Sequence, residues 1–190
     1  MPRSPQLLFA LAVLTFSWLA MQVVHECGHV LGAVLTGGRV ERVVLHPLSL
    51  SRTEVAPNPR PGVVVWMGPL VGVLGPLAAA GLIPRRWRLA RGTALFFAGF
   101  CLVANGVYIG AGTIAGLGDG EVMRSTGTPR WVSVVWGLTA TSGGIGIWHR
   151  LGSPGVWITR GEPLSWRVAA VAWVVTVLLA GMMALLGARP

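Results

Sequence analysis

Lysine is absent from this chain of 190 residues, and aspartate occurs once, at Asp119. Charged residues make up 11% of the sequence against 53% hydrophobic ones, and mean hydropathy is +0.67. So little charge excludes an ordinary soluble domain and points to a membrane protein. No polar block is long enough for a second domain, so residues 1–190 read as a single membrane-embedded domain. The net charge of +9 comes from arginines scattered over the loops. That scatter argues against a nucleic-acid patch, and contacts with anionic headgroups explain the charge. The missing lysine is attributed to genome composition rather than to mechanism. Cys27 and Cys101 are the only cysteines. Both fall in apolar stretches and read as small core residues rather than a disulfide, which leaves the redox compartment open. A phosphate-binding glycine motif and an internal repeat are also missing.

What is present is concentrated in residues 23–31, VVHECGHVL. His25, Glu26 and His29 spell H-E-x-x-H. Positions i and i+4 share a helix face, so both imidazoles can reach one metal ion, with Glu26 about 100° round the helix. Two neutral nitrogen ligands, a carboxylate base and an open position for water are the ingredients of a hydrolytic zinc site. In a chain with four histidines the pattern arises by chance in roughly 0.2% of shuffles. It also continues an apolar helix, residues 7–24 being apolar apart from Thr15, Ser17 and Gln22. Ionisable residues are costly in such a helix and mark functional sites. The competing reading is a hydrogen-bonded histidine pair in a bundle core, with Glu26 reaching the headgroups. Cys27 points about 160° away from His29 and is a poor ligand candidate.

The spacing predicts a first helix over residues 7–35, stopped by Thr36-Gly37-Gly38 and read as a retained span rather than a cleaved signal peptide. The histidines then fall in its last third, near one membrane face. Residues 39–55 alternate around the His46-Pro47 break. They read as a short hairpin beside the site, or as an interfacial loop. A hairpin edge there would pair with an unwound substrate by strand addition. His46 reads as a solvated loop residue.

Residues 57–61 form a stiff linker, and 62–83 a second span whose Gly68, Gly72 and Gly75 admit close helix packing. Pro69 and Pro76 are expected to kink it. A basic turn follows at 84–91, then a third span over 93–117 containing Asn105 and Tyr108. Asn105 is expected either to hydrogen-bond between helices or to orient substrate. Gly68 and Pro69 join it as candidate substrate-positioning residues, with packing the preferred role for both. Residues 131–148 read as a fourth, glycine-interrupted span, 149–165 as a polar loop and 166–186 as a fifth span. Trp131, Trp148, Trp166 and Trp173 fall near the predicted ends, as an aromatic belt does. The expected fold is an all-α polytopic membrane protein of about five transmembrane helices, with a membrane-associated β hairpin after the first.

Asp119 closes the third span in the run GLGDGE. The first helix exits on one face, the second crosses away and the third returns. Asp119 is therefore expected on the same face as His25 and His29, as the third metal ligand. The alternatives are an ordinary glycine-rich turn, or Glu121 as the ligating carboxylate.

With HECGH at 25–29, GPLVG at 68–72 and GDG at 118–120, the chain resembles the site-2 protease family of intramembrane zinc metallopeptidases, as a small variant without a regulatory domain. The likeness covers residues 20–125. Three departures stand out. Gly72 occupies a position where that family often has asparagine, Gly118 replaces a leucine, and the Asn-Pro lead into the aspartate is missing. The resemblance implies one Zn²⁺ per chain on His25, His29 and Asp119. It also implies zinc-activated water with Glu26 as general base, and hydrolysis of peptide bonds in membrane-spanning or membrane-anchored proteins. The bilayer and a membrane-protein substrate are the expected partners, and a bacterial cell membrane the expected location. The alternatives are an inactive relative that binds membrane helices without cutting them, and a small metal carrier. A carrier would bring further ligands along the other spans, and the fourth and fifth spans have none.

Overall fold

The computed structural model describes residues 4–153, 158 and 164–187. The chain runs through α1 (Ser4–Leu35), β1 (Val40–Val44), β2 (Arg52–Val55), α2 (Pro61–Leu82), α3 (Arg88–Ala115), α4 (Gly118–Ser125), α5 (Arg130–Leu151) and α6 (Trp166–Gly187). Local chemistry sets the boundaries. α1 stops where Gly37 takes φ +74° and Gly38 N–H returns to Ala33 O at 2.8 Å, the closure that satisfies orphaned carbonyls at a helix end. α2 opens on Pro61, whose ring is preset for the first helical position. Pro69 and Pro76 lie inside α2 without ending it. α3 ends at the left-handed Gly116, and α4 follows within three residues.

Among the described residues, α1, α2, α3 and α6 are long and apolar enough to cross a membrane, four helices against the expected five. The residues of the expected fourth span do form a helix, α5, of 22 residues. Its TATSGGIG stretch dilutes its apolarity below that of the others. The same small residues let α5 lie flush on α3. A Cβ added at Gly137 would stand 2.7 Å from Gly106 O, and one at Gly144 would stand 2.6 Å from Gly99 O. α5 also runs through His149 and Arg150 to Leu151, inside the expected polar loop. Of the rest of that loop, residues 154–157 and 159–163 fall outside the described residues.

β1 and β2 pair antiparallel, with Val40 opposite Val55 and Val44 opposite Arg52. α1 and α2 pack antiparallel through Gly28 and Gly32, which face Met67 and Val64. α6 lies along α1, where Trp173 Nε1 donates to Leu8 O at 3.0 Å. Outward faces carry large exposed side chains such as Leu11, Leu14, Val171, Val174 and Leu178. The end of α1, the hairpin, the start of α2 and the α3–α4 junction meet at one end of the bundle, and the candidate site forms there.

Candidate metal centre

His25, Glu26 and His29 are all buried on α1. His25 Nε2 and His29 Nε2 are 3.0 Å apart. Asp119 Oδ2 lies 2.8 Å from the first and 3.2 Å from the second. Segments 94 and 90 residues apart thus bring three ligand atoms together. Among the described residues, this is the group of His, Cys, Asp and Glu side chains arranged to hold a metal ion.

The far side of each ring fixes what the near side can do. His25 Nδ1 is 2.6 Å from Asn105 Oδ1. The Asn105 amide is oriented by its own Nδ2, which donates to Cys101 O at 2.8 Å, so Oδ1 is an acceptor. His25 therefore donates from Nδ1. His29 Nδ1 donates to Val64 O at 2.9 Å, since a carbonyl can only accept. Both neutral rings then carry their proton on Nδ1 and aim the Nε2 lone pair inward. The inward atoms are two such lone pairs and a carboxylate oxygen, three acceptors within about 3 Å of one another. Such a group needs positive charge at its centre, which either a proton on one Nε2, shared with Asp119, or a bound cation can supply. Ligands on tetrahedral zinc at 2.0–2.1 Å sit about 3.3–3.4 Å apart, a few tenths of an ångström wider than seen here.

The backbone leaves room for this. A Cβ on Gly68 of α2 would stand 2.5 Å from His29 Nε2 and 2.9 Å from His25 Nε2, so only glycine admits both rings. Gly72, one turn on, faces Asn105, and a Cβ there would be 2.9 Å from Oδ1. The position where the resembled family often has asparagine thus makes space for one from α3. Pro69 is buried beside them.

Asp119 enters on the first turn of α4, where a helix N-terminus favours a carboxylate. Gly118 before it has φ +55° and lies under the Tyr108 ring, which excludes a side chain on both counts. Tyr108 Oη accepts the Asp119 N–H at 3.4 Å. Burial alone would push the Asp119 pKa up, but His25 and His29 outweigh it and hold the carboxyl well below the usual carboxylate range.

No protein-family model, curated protein or solved structure matches this chain.

A cleft of about 970 Å³ opens over the three ligands, between α1 and the hairpin on one side and α3 and α4 on the other. Its walls are largely apolar, with Trp18, Met21, Leu50, Val64, Val103 and Val107 among them. Glu26 borders it and is 3% exposed. Its Oε1 accepts from Ser51 Oγ at 2.8 Å and its Oε2 from Thr53 Oγ1 at 2.6 Å. Glu121 lines the cleft but stands outside the ligand group, paired with Arg124 at 2.6 Å, which lowers its pKa. His46 accepts the Leu48 N–H within the hairpin turn, and Cys27 is exposed away from the site.

Asn105 is tied to His25 and 1% exposed, which suits a residue that holds the ring more than one that meets substrate. Ser51, Thr53 and Val64 are new to the site. Alternation in LSLSRTEV places Ser51 and Thr53 on one face, and that was the available signal.

Proposed function

We propose that this chain is an intramembrane zinc metalloendopeptidase of the site-2 protease kind. It hydrolyses peptide bonds of membrane-spanning or membrane-anchored proteins at His25, Glu26, His29 and Asp119. One observation carries the reading. Two imidazoles, each held through Nδ1, turn their Nε2 atoms 3.0 Å from one another and 2.8 and 3.2 Å from one Asp119 oxygen, three possible ligand atoms in one place.

Two nitrogens, one oxygen and an open fourth position are the donor set of hydrolytic zinc. When bound there, the ion lowers the pKa of water and polarises a scissile carbonyl. Asn105 and Val64 O hold the rings in the ligating tautomer and orientation. Glu26 takes a proton from the attacking water and delivers it to the leaving amine nitrogen. The apolar cleft walls take an unwound apolar segment and limit access of bulk water. Four helices of membrane-crossing length, with large apolar side chains turned outward, support placement in a bilayer. Glu26, buried in the last third of the first of them, then sits toward one membrane face.

The test uses purified full-length protein and a model transmembrane substrate. Native protein is expected to hold about one zinc per chain and to cut. Glu26→Gln is expected to keep the zinc and lose about 10²–10⁴-fold in cleavage rate. Undiminished cleavage by that variant refutes the mechanism. Zinc binding without cleavage, together with retention of membrane helices, favours the binding relative instead.

A further inference from the structure

The hairpin grips Glu26 closely. Ser51 and Thr53 alternate along an extended segment and so share a face. Arg52 between them turns outward to Glu54 at 2.9 Å. The two hydroxyls reach the two oxygens of one carboxylate, at 2.8 and 2.6 Å. A third bond, from Ser51 N–H to Gln22 Oε1 at 3.1 Å, fixes the same segment one helical turn earlier on α1. Gln22 is itself buried, 3% exposed.

The site creates a problem that these bonds address. A carboxylate next to a cation, in a cleft of low dielectric, is drawn strongly onto it. A base that becomes a fourth ligand fills the position water needs and can no longer accept a proton. Glu26 is adjacent in sequence to a ligand, yet its carboxylate stands outside the three-atom ligand group. Hydrogen bonds to an ionised acceptor are the stronger kind. Two of them oppose that collapse while leaving about two of the carboxylate's four lone-pair positions open. We propose that Ser51 and Thr53 are positioning residues that keep Glu26 beside the metal but out of its coordination shell. The inference rests on the metal reading above.

Cobalt(II) loading of the purified full chain tests this, because its visible d–d bands report coordination number. Native protein and Glu26→Gln are expected to give one spectrum. Ser51→Ala/Thr53→Val is expected to change the bands and to release cobalt to a chelator about tenfold more slowly. Adding Glu26→Gln to that pair restores the native bands and release rate. The hydroxyl-keeping pair Ser51→Thr/Thr53→Ser retains them as well. With the model substrate, Ser51→Ala/Thr53→Val loses about 10²-fold in kcat with KM unchanged. Ser51→Ala and Thr53→Val taken singly are expected to move the bands in the same direction, and they serve if the double variant does not fold. A native spectrum in the Ala/Val variants overturns the inference, as does an altered spectrum that survives Glu26→Gln. Native protein that takes up no cobalt overturns the metal reading and this inference together, so the two failures are told apart.

Discussion

Gly68→Ala places one methyl group where the two rings converge, and its effect can be worked from the distances. The new Cβ would stand 2.5 Å from His29 Nε2, whereas ordinary contact begins at 3.4 Å. The ring must retreat by about 1 Å, several times the ±0.2 Å within which metal–ligand distances hold. It has nowhere to go cheaply, because Val64 O holds its other nitrogen at 2.9 Å. Asn105 restrains His25 in the same way at 2.6 Å. Losing proper geometry at one or both nitrogens is expected to weaken zinc binding by at least about 10²-fold, or about 2.8 kcal/mol. Chelator competition on purified protein measures it. Gly81→Ala on the same helix is the control, since a Cβ there meets nothing within 4 Å. It is expected to bind zinc as the native chain does and to gain about 0.5–1 kcal/mol in stability, what alanine offers over glycine in a helix. Zinc affinity for Gly68→Ala within about threefold of native, less than 1 kcal/mol, would refute the view that this glycine exists to admit the rings.

Asp119→Ala removes the one anionic ligand and is expected to drop zinc below about 0.2 per chain after dialysis, while helix content by circular dichroism stays native. Asn105→Ala leaves the His25 Nδ1–H buried without an acceptor; it should cost about 1–3 kcal/mol in thermal unfolding and about 10–100-fold in zinc affinity. Glu54 accepts hydrogen bonds from Arg52 and Arg42, which lower its pKa from 4.5. A depressed carboxyl stabilises above its unfolded value and loses that contribution as pH falls through the folded one. Amide protection across the hairpin is therefore expected to hold from pH 7 down to about 4.5 and to fall only below it. Protection that declines steadily from neutral pH would show that the pair is irrelevant to the hairpin.

The parts of the site that were legible are those with a local period. The i, i+4 spacing puts His25 and His29 on one face, and counting crossings puts Asp119 at their end of the bundle. The partners of the imidazoles were not legible. Asn105 and Val64 O act across 80 and 35 residues, and no local pattern records which carbonyl a ring will meet. The same holds for Ser51 and Thr53 on Glu26, across 25 and 27 residues. Asp119 reads as the close of the third span, with a glycine-rich turn as the alternative, yet it lies in the first turn of a separate helix. The signal was there, in acidic residues at its start and Arg124 at its end, but eight residues carry too little periodicity to outweigh three glycines. The expected fourth span over 131–148 is a helix, α5, and the glycines that made it the weakest span in the sequence serve contact with α3.

The imidazoles ride on α1, to which α6 is stitched by Trp173, whereas Asp119 hangs from α3 through α4. The mouth that would admit a guest lies along the seam dividing those two leaves. Parting them widens the mouth and, by the same motion, draws the acid away from the rings. On the proposed reading, the width of that mouth and the closure of the triad are thus coupled, since the same seam separates the acid from the rings.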